Sequence, residues 1–228
     1  MSYNFTSGDI DHFLYIIAKE YKKQNRQNPE FELILVGGSS IILNYHFRGT
    51  TTDIDSIIRA SSNIKEIINK IGDENGFETG WLNDDFTKTA SFSKKLIEHS
   101  IFYKRFYNCL NVRTVNDEYL LAMKLCSYRE YKNDISDIIG IIKENIERGN
   151  NITYTTVNTA YKELYGNNAE IPEKASRKLK EIFSSENYEE LYYSTIDEEK
   201  RNKAILLKAE EKYGNMVNQN TISKFLNM

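Results

Sequence analysis

Asp53-Ile54-Asp55 sets two carboxylates two residues apart in a stretch rich in Thr and Ile. On a strand, residues i and i+2 point to one face, so the pair is expected side by side at the head of a strand. Like charges that close repel unless a cation sits between them. Mg²⁺, or Mn²⁺ in its place, suits hard oxygen ligands and is commonly held by one or two carboxylates together with substrate phosphates. A lone D-x-D is more often a pair of solvated surface acids, so the residues upstream decide the reading. There, Gly37-Gly38-Ser39-Ser40 follows the apolar run Phe31-Glu32-Leu33-Ile34-Leu35-Val36 and opens Ile41 to Phe47, read as a short helix. Backbone N–H groups at a helix start bind phosphate oxygens. The glycines let a triphosphate approach, and a serine hydroxyl adds a donor.

A third group lies downstream. Lys124, Arg129 and Lys132 are three cations in one short stretch, with Asp134 and Asp137 close behind. Positioned cations stabilise the charge that builds on a leaving pyrophosphate. Lysine serves as a point charge and arginine as a two-pronged donor, and either aspartate is placed to orient them. The plainer reading is a solvated, salt-bridged helix junction.

Gly38-Ser39, then Arg48-Gly49-Thr50-Thr51-Thr52-Asp53-Ile54-Asp55, resembles the pattern of DNA polymerase β-type nucleotidyltransferases. More narrowly it is similar to AbiEii-type proteins, nucleotidyltransferase-like toxins of bacterial toxin–antitoxin and phage-defence systems. The second block, Leu120 to Leu125 with Lys124, then Arg129, Lys132, Asp134 and Asp137, agrees in order. The resemblance covers about residues 31 to 142. It implies an NTP substrate, with Arg48 and Thr51 joining the glycine turn in nucleotide binding and Lys124 in catalysis. It also implies an acceptor such as tRNA or a protein hydroxyl, less readily an aminoglycoside-like small molecule, and a possible antitoxin partner. One departure stands out. Such enzymes usually carry a third carboxylate on a later central strand, and the matching strand here reads Leu110-Asn111-Val112-Arg113, with Asn111 in its place. An amide can ligate a metal but is not a base. Asp84 and Asp85 are candidates to substitute. The alternative function is a catalytically inactive nucleotidyltransferase fold that binds nucleotide or regulates, and a third is a structural interaction domain with an incidental D-x-D.

The elements that must position these groups follow from periodicity. Phe13, Leu14, Ile17, Ala18 and Tyr21 predict a helix from Ile10 to Gln24. Phe31 to Val36 and Ile54 to Arg59 read as strands, and Ser62 to Asn75 as a helix stopped by Gly76. Gly76 to Ser93 has no clear pattern. Leu96 to Tyr103 and Cys109 to Val115 read as strands joined by a turn at Lys104-Arg105. Asn116 caps a helix from Glu118 to about Arg129, and Ile135, Ile138, Ile139, Ile142 and Ile146 mark the next. After Gly149 every signal is helical. Val157, Tyr161 and Leu164 mark one helix; Pro172 starts another, with Leu179, Ile182 and Phe183 on its buried side. The capping box Thr195-x-x-Glu198 predicts a further helix ending near Gly214, and Asn220 to Met228 a short last one. The expectation is an α+β nucleotidyltransferase core with a mixed sheet, residues 1–149, followed by an all-α region, residues 150–228.

Composition sets the outer bounds. The chain has 228 residues, 40% hydrophobic and 28% charged, with net charge -3. With pI about 5.8 and mean hydropathy -0.58, bulk charge argues against coating nucleic acid. Cys109 and Cys126 form no ligand motif and read as free thiols in a reducing cytoplasm. The N-terminus carries no signal-peptide pattern, and no apolar run reaches the roughly 20 residues of a membrane span, so no membrane partner is expected. Abundant Asn, Lys, Ile and Tyr fit an AT-rich bacterial genome. His12, His46 and His99 share no ligand spacing, and the 16 tyrosines, many in the helical tail, read as packing more than as base-stacking surfaces.

Overall fold

A computed structural model of the chain describes residues 3–218 and 221–226. The first elements are α1 (Ser7–Gln24), β1 (Phe31–Leu35), α2 (Gly37–Asn44), β2 (Ile54–Arg59), α3 (Ile64–Asn75), β3 (Leu82–Asn83), β4 (Ser100–Phe106) and β5 (Leu110–Val115). Helices follow: α4 (Asp117–Ser127), α5 (Asp134–Glu147), α6 (Tyr154–Tyr165), α7 (Glu173–Phe183), α8 (Tyr188–Tyr213) and α9 (Ile222–Leu226). The strands form one sheet in the order β3-β2-β1-β5-β4. β1 is antiparallel to β2 and parallel to β5, and β4 is antiparallel to β5. This is the expected α+β core with a mixed sheet, followed by helices alone.

The chain makes two compact units. Met1–Met123 with Thr155–Glu170 form one, and Lys124–Tyr154 with Ile171–Met228 the other. The boundary expected near residue 149 falls within the second. In the first unit Ile10, Leu14, Ile17 and Tyr21 of α1 and Ile64, Ile67, Ile68 and Ile71 of α3 join Leu33, Leu35, Ile54 and Val112 of the sheet in one buried cluster. Alternation then turns Asp55 to the sheet's opposite face.

Local sequence explains most elements. α1 opens with Thr6 and Asp9 in a reciprocal capping box, and α3 stops at Gly76, whose φ of 68° is left-handed. Four expectations are corrected. α2 begins at the glycine turn itself, not after it. β4 starts at Ser100 and runs through Lys104 and Arg105; the turn is Tyr107-Asn108, both left-handed at φ 48° and 52°. Cys109 N closes the turn on Phe106 O at 3.1 Å, and asparagine tolerates the left-handed geometry. Lys104 and Arg105 instead pair with Asp11 and Glu30. α8 begins well before Thr195, because the Asn187 side chain accepts from Glu190 N and caps it there; Thr195 is a buried mid-helix residue. Ile146 is 48% exposed, so the buried face of α5 ends a turn early. The final helix is α9, and the outer ends of its predicted span, Asn220 and Met228, lie outside the described residues.

Candidate functional site

β1 enters a tight corner. Gly37 takes φ 57°, which glycine adopts without penalty. A Cβ built on it would stand 3.5 Å from Asp55 Oδ2. Val36 occupies the N-cap of α2 and offers no side-chain acceptor, so the first-turn amides of α2 have no cap. Their N–H groups and the helix dipole favour an anion there. Gly38 is small for a different reason: a Cβ would meet Thr51 Oγ1 at 2.6 Å and Arg48 Nη2 at 3.0 Å. Arg48 and Thr51 thus buttress the turn. Thr51 is itself fixed by reciprocal main-chain bonds with Phe5, 2.7 and 3.0 Å.

The serines face inward. Ser39 Oγ lies 2.8 Å from the Val36 carbonyl and 3.1 Å from that of Asp55, tying the turn to β2. Ser40 is buried, and its Oγ makes no hydrogen bond. What this corner presents to a phosphate is backbone.

Asp53 is exposed and Asp55 half-buried. Val36 N donates to Asp55 O at 3.0 Å, which pins Asp55 to the corner. Asn111 is not brought to them. It pairs with Glu32 at the start of β1, whereas the β5 residue opposite Leu35 is Thr114. At ~3.3 Å per strand residue that separates Asn111 from the level of Asp55 by roughly four residues. On the other side Asn83 of β3 stands in register with Asp55. Sequence reasoning missed it, because a two-residue strand carries no periodic signal. Asp84 pairs with Lys65 at 3.1 Å and Asp85 with Lys88 at 2.5 Å, and both ion pairs are at the surface. Among the described residues no three His, Cys, Asp or Glu side chains gather as a metal site. Asp53 and Asp55, two residues apart, supply the hard oxygens that Mg²⁺ or Mn²⁺ takes, alongside waters and substrate oxygens in its remaining positions.

The cations of the second unit make a centre of their own. Lys124 is buried, and its Nζ lies 2.9 Å from Asp134 Oδ1 and 2.7 Å from Asp137 Oδ2. Arg129 binds Asp134 through Nε at 2.8 Å and Nη2 at 3.0 Å, and its backbone N–H donates to Asp134 Oδ2 at 3.0 Å. Burial by itself would raise the Asp134 carboxyl. The Lys124 ammonium and Arg129 guanidinium outweigh it and hold that group well below the usual carboxylate range. The Arg129 side chain remains 39% exposed. Lys132 is exposed, one residue before Asn133, the N-cap of α5.

A family model described as "Nucleotidyltransferase of unknown function (DUF6036)" matches residues 12–201. The chain belongs to this nucleotidyltransferase family. No curated protein and no solved structure matches it. The matched span takes in the glycine turn, the Asp53–Asp55 pair and the Lys124 centre, so this nucleotidyltransferase-family chain carries all three within the family's own extent. No described helix is long and apolar enough to cross a membrane. His99 stacks on Tyr119 with ring centroids 3.8 Å apart. His12 meets Phe13 edge-on. Both are packing contacts.

Proposed function

We propose that the chain transfers a nucleoside monophosphate from an NTP to an acceptor hydroxyl. The observation that supports this most is the approach of Asp55 Oδ2 to Gly37 at the uncapped start of α2. A carboxylate suited to a cation and a row of amide donors suited to phosphate meet at one corner. Asp53 and Asp55 would hold Mg²⁺, which supplies positive charge beside the triphosphate. The amides of Gly37, Gly38 and Ser39 would bind phosphate oxygens, with Arg48 and Thr51 supporting the turn. A bond forms from the acceptor oxygen to the α-phosphorus as its hydroxyl proton passes to solvent water, the bond to the β-bridging oxygen breaks, and pyrophosphate leaves with that electron pair. The resemblance alone assigns the released charge to Lys124, Arg129 and Lys132, of which Lys124 is already enclosed by Asp134 and Asp137. By resemblance to AbiEii-type toxins, tRNA or a protein hydroxyl is the proposed acceptor and an antitoxin the proposed partner.

A second reading, nucleotide binding without transfer, is favoured by the position of Asn111 away from the acid pair. One experiment addresses both. Unfolding is followed with ATP, GTP, CTP and UTP, each with Mg²⁺ or EDTA, alongside an assay for pyrophosphate release. Mg²⁺-dependent stabilisation with release supports transfer. Stabilisation without release, across tRNA and protein acceptors, supports binding alone. No stabilisation by any nucleotide counts against both readings.

A further inference from the structure

A small cleft opens beside Asp53, and no role assigned above uses it. Its volume is about 190 Å³. Pockets for whole drug-sized ligands run ~300–1,000 Å³, so this one takes a single ring system, not a whole nucleotide. Phe5, Phe77 and Trp81 line it, with Tyr3 at the edge. These rings support one another: Phe5 stacks on Trp81 at 5.7 Å, and Tyr3 lies 4.7 Å from Phe5 and 4.8 Å from Phe77. Tyr3 is 41% exposed, and its hydroxyl donates to Asp9 Oδ1 at 3.2 Å, which orients the ring. The rim is polar, with Thr52 and Asp53 on one side and Glu78, Thr79 and Gly80 on the other. At Gly80 nothing lies within 4 Å of where a Cβ would be.

The charges of the lining decide what fits. Both ionisable acids on it, Asp53 and Glu78, are carboxylates, and no Lys or Arg is among the lining residues. A phosphate is repelled from such a cleft. A flat, neutral ring with N–H donors suits it: the rings supply a stacking surface, and a carboxylate accepts from an exocyclic amine. Asp53 lines this cleft and lies two residues from Asp55, whose carboxylate approaches Gly37 at the start of α2.

We propose that this cleft is the nucleobase subsite, with Tyr3 as the stacking residue and Glu78 as the acceptor for an amino-bearing base. This rests on the function proposed above. The test measures Kd of the full chain for Mg²⁺-tripolyphosphate and for each Mg²⁺-NTP, in the wild type, Tyr3→Ala and Glu78→Gln. Both positions are exposed, and circular dichroism checks that each variant is folded. Tyr3→Ala is expected to weaken every NTP about tenfold while leaving tripolyphosphate unchanged. Glu78→Gln is expected to weaken the amino-bearing nucleotides and spare UTP. If both variants bind all NTPs as the wild type does while Asp53→Asn loses them, the subsite is wrong and the phosphate corner stands. Wild type that binds neither tripolyphosphate nor NTP overturns both.

Discussion

Asp53 and Asp55 at the head of β2, and Asp134 and Asp137 at the head of α5, are both closely spaced acid pairs beside turns. Their settings are opposite. At β2 one carboxylate is exposed and the other half-buried against a glycine turn. At α5 both are buried, and Lys124 and Arg129 answer them with charge-assisted hydrogen bonds. Spacing alone therefore does not separate an enclosed pair from one open to solvent. The α5 pair is enclosed by cations of its own unit, and the β2 pair is proposed to hold Mg²⁺ together with the nucleotide.

The strongest way to break this comparison is to remove an acid from each region. Asp134→Ala leaves Lys124 buried beside Asp137 alone and should cost about 3–5 kcal/mol in urea unfolding. Asp53→Asn, at an exposed position, should change stability by less than about 0.5 kcal/mol. Equal losses would show that the two pairs do the same job. Next, the double variant Asp53→Asn, Asp55→Asn should lose the nucleotide-dependent stabilisation, ~2.7 kcal/mol at a hundredfold excess over Kd. Its ligand-free unfolding should stay close to wild type. Persistence of the Mg²⁺-NTP shift in that variant would falsify the corner as the metal–phosphate site.

One carboxylate in the second unit is not neutralised, and it sharpens the contrast. Glu199 of α8 accepts from Ile135 N at 2.9 Å and Ser136 N at 3.1 Å, at the start of α5. Its other oxygen is buried without a hydrogen bond. Burial pushes this carboxyl up to about 7, the nearby Asp137 adds to that, and the bonds from Ser136 and Ile135 oppose it. Asp137 itself is paired with Lys124 of α4. The folded state thus holds the Glu199 proton to higher pH than the unfolded chain does. That stability is fully present below about pH 4.5 and is lost as pH rises through about 7. The wild type should lose about 2 kcal/mol between pH 5 and 8 from this group, and Glu199→Gln should flatten that slope. An unchanged slope in the variant would assign the pH dependence to other groups. At the corner itself Gly37→Ala should cost about 1 kcal/mol, since alanine resists a left-handed φ.

Much of the first region was legible. A buried strand, a glycine turn and an acid pair lie in one contiguous stretch, and each carries a local signal. What escaped the sequence depended on partners distant along the chain. Lys104 and Arg105 resemble a turn until Asp11 and Glu30 pair with them within the sheet. Asn111 takes the third-acid position only if its register is guessed, and the parallel pairing with β1 sets that register instead. Asp134 or Asp137 is expected to orient Lys124, but that both enclose it in a buried centre carries no local signal. Thr195-x-x-Glu198 fits a helix start, yet Asn187 had already capped the same helix.

The antiparallel pairing of β1 with β2 also bears on the order in which the molecule is made. Those strands are neighbours along the chain with only α2 and a loop between them, whereas β5, on β1's other side, follows α3, β3 and β4. Closing the shorter loop costs less entropy, so the first pairing has the head start. On a translating ribosome the glycine turn and the acid pair have emerged before β5 is synthesised. Pulsed hydrogen exchange during refolding should accordingly find β1–β2 amides protected ahead of those linking β1 to β5, and simultaneous protection would mean that the corner waits for the whole sheet.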